Sequence, residues 1–304
     1  MVDVWVLAAL GTAVSWTGSS VVFAMASRRV GGLAVNLFRI LLAVPLLVAL
    51  HLALGLGVWP TALDGHQLAL LSASGIVGLV LGDIGYFHGL TLVGPRICSV
   101  MMATWPALAA LVTMALGRES LTTPVAVGML ATTTGVVLVL LRGGDGSAWN
   151  PSLTPAQRWG GILGAFVGAL GQAGGTVIAR PVLQEAYVDS LSAALVRMTA
   201  AALALLVLAV VRGQLGLLSR VRRDPASFRA SCAGTLFGPV LGVWMSMVAI
   251  GQATHTGVAA ALMALMPVFM IPVAWRLYGA RVGVLGILGT VLAVGGAMWL
   301  LVHG

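Results

Sequence analysis

Three charged side chains stand inside long apolar runs of this sequence. They are Arg39 in NLFRILLAVPLLVAL (36–50), Asp83 in GIVGLVLGDIGYFHGL (75–90) and Arg197 in ALVRMTAAALALLVL (194–208). A charge in such surroundings is costly to desolvate, which leaves it two roles: a structural ion pair, or contact with a transported or bound species. Arg39 and Asp83 each lie several residues inside a predicted helix, on the same side, and so roughly 10 Å below the same surface. An ion pair between them relieves the cost of both. Arg197 sits at the mirrored depth on the opposite side. The position matching Asp83 there is Gly242 or Val243, so no acid stands ready for it. Two readings of Arg197 stay open. It snorkels to the interface or pairs with Glu185, Asp189 or Glu119; or its guanidinium is free for an anionic group such as a substrate carboxylate. Tyr86 and His88 follow Asp83 closely, and His88 either takes a proton from it or bonds within the bundle, while His255 falls at a loop end. Trp16 with Ser19, Gln172, Trp105 and Trp244 offer flat aromatic surface beside a few hydrogen-bonding groups, the make-up of an amphipathic cavity wall. The bland alternative is that these tryptophans pack between helices or sit at headgroup level, as suits Trp5, Trp59, Trp275 and Trp299. No nucleophile–base–orienter set, phosphate loop or metal-ligand spacing occurs, so neither cofactor nor metal is expected.

The elements that position these residues follow from composition. Of 304 residues, 60% are hydrophobic and 8% charged, and the mean hydropathy is +1.06. A soluble domain carries about 25% charged residues. The chain therefore reads as an all-α, polytopic membrane protein. A span needs about 20 apolar residues. Ten are predicted, at 4–26, 34–54, 67–90, 96–116, 124–141, 160–180, 190–211, 230–252, 257–277 and 281–302. The first is a mature helix and not a signal peptide, for no basic n-region precedes it. The third carries glycines at 75, 78, 82, 85 and 89, a seam along which another backbone can come close;. Asp83 lies about 130° from the centre of that seam. Pro106 and Pro267 each fall about ten residues into a predicted span, where a missing backbone donor makes either a hinge or a static bend;. Cys98 and Cys232 read as small apolar packers.

The longest breaks are 142–159 and 212–229, and the first is the natural midpoint. Across it the chain repeats. The run 36–50 matches 194–208, setting Arg39 opposite Arg197, and CSVMMATWPALAALV (98–112) matches AAALMALMPVFMIPV (259–273), setting Pro106 opposite Pro267. With five spans per half, the second half must enter from the other side, giving two inverted five-helix repeats.

At these residues a resemblance emerges. LGDIGYFHGLTLVGPRICSVMMATWPALAALVTMALGRES (81–120), LGQAGGTVIAR (170–180) and ATHTGVAAALMALMPVFMIPVAWRLYG (253–279) resemble the EamA-like transporters of the drug/metabolite transporter superfamily. The resemblance implies one repeat over 1–145 and a second over 156–304, with a central cavity lined mainly by helices 1–4 and 6–9 and helices 5 and 10 at the periphery. It further implies a secondary transporter of small metabolites, such as an exporter of amino acids, working by alternating access. Other readings are a multidrug or lipophilic-solute exporter and, in a different class, a membrane-embedded enzyme. Two departures matter. Glu119 follows the fourth helix as usual, but Ala280 stands at its repeat-related position. Helix 1 holds no acid for a family mode of cation antiport that uses a glutamate there.

The expected partners are a small-molecule substrate and the lipid bilayer of the cell membrane, with no nucleic acid, and a monomer is compatible with the sequence. All sixteen Lys and Arg positions are arginine, and the arginines in the loops read as topology signals and lipid headgroup contacts;. Loops on the side of the termini hold Arg118 and Arg180, and those opposite hold twelve arginines. That count puts both termini outside the cytoplasm, whereas the family usually has them inside.

Overall fold

The computed structural model describes residues 3–118, 122–141, 150, 152–185, 188–278 and 284–303. Among these residues every regular element is a helix. Helix α1 (Val4–Val30) stops at Gly31, whose φ of +93° suits a residue without a side chain, and α2 (Gly32–Ala53) starts at once;. Helix α3 (Gly65–Leu92) opens with a capping box in which Asp64 and Gln67 each accept from the other's backbone N–H;. Then come α4 (Gly94–Met102), α5 (Trp105–Ala115) and α6 (Thr123–Leu141). Helix α7 (Pro155–Leu183) has a capping box of Thr154 and Gln157, and α8 (Ser190–Val211) is capped by Asp189. Helices α9 (Gly216–Arg223), α10 (Pro225–Gln252), α11 (Thr256–Met263), α12 (Met266–Tyr278) and α13 (Val284–His303) complete the described chain.

Six of these helices, α1, α2, α3, α7, α8 and α10, are long and apolar enough to cross a membrane, by length and composition. Two expected spans differ from a single rod. The stretch 96–116 divides into α4 and α5 at Ala103–Thr104, and 257–277 divides into α11 and α12 at Ala264–Leu265. Proline supplies the reason. It has no N–H to give the carbonyl four residues back, and its ring crowds that carbonyl, so a first turn suits it best, although Pro45, Pro181, Pro239 and Pro272 stand inside helices that continue past them;. Pro106 accordingly lies in the first turn of α5, and Pro267 follows the first residue of α12; the side chain of Pro267 is outside the described residues. The Met266 carbonyl beside the second break accepts a hydrogen bond of 3.0 Å from Thr17 of α1. The region 212–229, expected as a loop, contains α9.

The two halves share a further detail. Helix α3 widens to π-helical geometry over Ile76–Gly82, and α10 does so over Leu236–Gly242. The expected glycine seam of α3 meets a second seam, on α7. Gly161, Gly164, Gly168, Gly171 and Gly175 of α7 repeat the same 3, 4, 3, 4 spacing. The helices run antiparallel, and a Cβ at Gly85 would stand 2.6 Å from the Gly164 carbonyl oxygen, while one at Gly89 would stand 2.6 Å from that of Gly161. Two backbones touch here because neither carries side chains in between. The matching seam between α1 and α10 is looser: Gly234, Gly238 and Gly242 face Phe23, Ser19 and Trp16. Helices α6 and α13 pack on each other, also antiparallel, with Gly128 against Leu300 and Gly296 against Thr132.

Candidate functional site

Between the tight seam and the loose one lies a cavity of about 90 Å³. Its walls come from α1, α2, α3, α4, α7, α8, α10 and α12. Of the expected site residues, Trp16, Ser19, Arg39, Asp83, Tyr86, Gln172 and Arg197 line it. Ser20 lines it beside Ser19, and so do Phe23, Phe87 and Ser246, three residues not expected there, since nothing in a lone sequence tells which polar or aromatic face of a helix turns inward. Three expected residues lie elsewhere. His88 is exposed on the outside of α3, one turn from the cavity face. Trp105 is buried in the core, where the first turn of α5 packs on the main apolar cluster. Trp244 is half-buried against that same cluster.

Arg39 and Asp83 form a close ion pair across α2 and α3. The guanidinium is held on other sides as well. Its Nε donates to Asn36 Oδ1 at 3.0 Å, one turn back on α2. The faces of Phe87 and Phe23 lie 4.7 and 5.5 Å from its central carbon, within cation–π range;. Arg39 is thus fully engaged, and its positive charge is neutralised by a carboxylate that shares the cavity wall.

Arg197 is different. It is 2% exposed, which removes the snorkelling reading, and it makes no ion pair among the described residues. Glu185 is bonded to Gln67, Asp189 caps Ser192 at the start of α8, and Glu119 lies outside the described residues. One guanidinium nitrogen of Arg197 donates to the Ser74 hydroxyl and to the Gly175 carbonyl oxygen at 3.1 Å. Its Nε is buried without a partner. These neutral acceptors come from the meeting of α3 and α7, where glycine lets the backbone of one helix reach the other. Two guanidiniums and one carboxylate line the cavity, a formal balance of +1. The arrangement suits a solute that brings one negative group, plus apolar or aromatic surface to lie against Trp16, Phe23 and Tyr86.

No cluster of three metal-ligating side chains occurs among the described residues. At the end of the molecule that holds the chain termini, a second polar hollow is lined by Arg118, Arg180, Gln184 and His255. Arg180, expected in a loop, is buried in α7 and donates to Thr256 and to the Thr254 carbonyl oxygen at 2.7 Å.

A multi-pass helical membrane protein with a polar cavity among its helices, and two halves alike in their breaks and π-stretches, has the make-up of a membrane carrier. The chain belongs to the EamA-like transporter family, whose model matches it twice, over residues 3–141 and 159–302. A crystal structure of another protein superposes with a TM-score of 0.69 at 19% sequence identity, covering 97% of this chain and 96% of that one, and so shows likeness of fold. No curated protein matches this chain.

Proposed function

We propose that this protein is a secondary carrier of the cell membrane that exports amino acids or closely related solutes with one anionic group. The observation that carries this reading is Arg197: a buried guanidinium on the cavity wall with neutral acceptors on one nitrogen, an orphaned Nε and no carboxylate of its own. An unpaired buried charge is expensive, and a substrate carboxylate gives it the bidentate partner that it lacks. The aromatic walls and the side-chain hydroxyls of Ser19 and Ser246 then meet the remainder of the solute. A cavity of this size favours a small metabolite over a bulky lipophilic drug;.

The ten-helix plan in two inverted repeats, 1–145 and 156–304, is part of the same proposal. Repeat-related helices run antiparallel in two places: α2 meets α8 through His51 and Ser192, and α6 meets α13 along its length. Counting each broken pair, α4–α5 and α11–α12, as one span gives five per half. Alternating access then rocks the halves about the cavity, bending at the breaks before Pro106 and Pro267. The arginine-rich end is cytoplasmic by its charge and the termini are outside, which a pair of terminal reporter fusions checks.

Counterflow in liposomes tests the function. Arg197→Lys should already impair uptake of labelled amino acids, because the charge stays but the fork is lost. Arg197→Ala should raise the apparent substrate constant at least tenfold, about 1.4 kcal/mol. Amidating the substrate carboxylate should erase the difference between wild type and variant. An Arg197→Ala protein that transports normally would remove the case for an anionic group.

A further inference from the structure

We propose that the open groove between α3 and α8 binds one phospholipid of the leaflet at the arginine-rich end, with an acyl chain in the groove and an anionic headgroup on Arg212 and the arginines of α9. The groove is shallow and open, with a volume of about 580 Å³, and is lined by Ile76 of α3 and by Leu203, Ala204, Val207 and Val211 among other apolar residues of α8, with no polar side chain. It runs along α8 from Ala200 to Val211. Eleven rises of 1.5 Å make that about 16 Å, close to half of a hydrocarbon core of about 30 Å. The groove is therefore one leaflet deep. Its inner end lies near mid-membrane and its outer end at Arg212, the C-cap of α8.

The outer end is cationic. Arg212, next to Val211 of the groove, is exposed, and so are Arg220, Arg222, Arg223 and Arg229 further along the same end of the molecule; Val221 is buried and α9 packs on α2 and α10. Among the described residues the acid in this region is Asp224, and it is already held by Arg29 and by the Ser227 N–H. What the surface lacks is negative charge beside an apolar slot, which is the shape and charge of an anionic phospholipid. A second copy of the chain on this face would bring its own arginines against these. The site also touches the cavity. Ile76 opens the π-stretch of α3 and Ala200 lies one turn beyond Arg197, so the chain end abuts the contact that anchors that guanidinium.

Native mass spectrometry of purified protein exchanged into mixed phosphatidylglycerol and phosphatidylcholine tests this. Wild type should retain phosphatidylglycerol at least tenfold over phosphatidylcholine. Val207→Trp alters an exposed position and should fill the slot and abolish retention of both lipids, with Val211→Trp as the second groove variant should the first misfold. The combined Arg212→Gln, Arg222→Gln and Arg223→Gln protein should still hold lipid but with the headgroup preference cut below threefold. Undiminished retention in a folded groove variant would overturn the proposal. So would equal binding of the two lipids by wild type, or a dimer that the groove variant dissociates.

Discussion

Removing Arg39 should damage the fold more than removing Asp83, although each deletion breaks the same ion pair. Arg39→Ala leaves Asp83 without its counter-ion in a wall shared with apolar and aromatic side chains, and loss of one partner from a buried pair costs about 3–5 kcal/mol. Asp83→Ala leaves the guanidinium its hydrogen bond to Asn36 at 3.0 Å and the ring faces of Phe87 and Phe23. A hydrogen bond to a charged group contributes roughly 1.5–3 kcal/mol and a desolvated cation–π contact up to about 2 kcal/mol, so the stranded cation is partly compensated. The expected loss for Asp83→Ala is therefore roughly 2 kcal/mol, below the range for an uncompensated charge. The double Ala variant leaves no orphan and should be clearly better than the sum of the singles, a coupling of about 1–3 kcal/mol. Denaturant titration in a fixed detergent, with folded protein read by size-exclusion chromatography, gives all four corners of the cycle. Additive singles would refute the pair as an energetic unit. Equal singles would refute the role assigned to Asn36 and the two rings.

Three further outcomes follow from the geometry. Gly85→Ala would place a Cβ 2.6 Å from the Gly164 carbonyl oxygen and should cost about 1–3 kcal/mol by forcing α3 from α7, whereas Gly18→Ala, with nothing within 4 Å, should be neutral or mildly stabilising in the same titration;. The Asp224 carboxyl is held down to about 2, first by its hydrogen bond from Arg29 and then by the Ser227 N–H, against an ordinary value of about 3.9;. Its stabilising contribution is thus complete above the ordinary carboxylate range and vanishes as pH falls through about 2, so the melting difference between wild type and Asp224→Asn should be flat at neutral pH and close towards pH 2. Pro106→Ala restores the missing donor, should favour one continuous helix across Ala103–Thr104, and should slow turnover in counterflow while substrate affinity changes less than threefold; unchanged turnover would make the break a static bend.

Much of the membrane architecture was legible because it rests on composition and period. Runs of about 20 apolar residues cannot be hidden, and the spacing of Gly75, Gly78, Gly82, Gly85 and Gly89 announces a close backbone contact whatever its partner;. The pairing of Arg39 with Asp83 was also within reach, since depth along two helices is fixed by 1.5 Å per residue and lone charges in a membrane seek each other. The repeat of Arg39 in Arg197, and of Pro106 in Pro267, marks the two halves in the sequence itself.

What the sequence could not determine is azimuth and partner. His88 and Asp83 are five residues apart, yet only Asp83 turns to the cavity, because the seam of α3 is committed to α7 and that contact sets the rotation of the whole helix. The break at Ala103–Thr104 was set by where the chain could satisfy its backbone around Pro106, and the same packing drew Trp105 into the core. Above all, the fate of Arg197 was settled in three dimensions. Sequence left open a carboxylate partner, the interface, or a free guanidinium for an anionic group; glycine-to-glycine contact of α3 with α7 closes round it, offers Ser74 and the Gly175 carbonyl, and leaves the side chain buried on the cavity wall without an ion pair among the described residues.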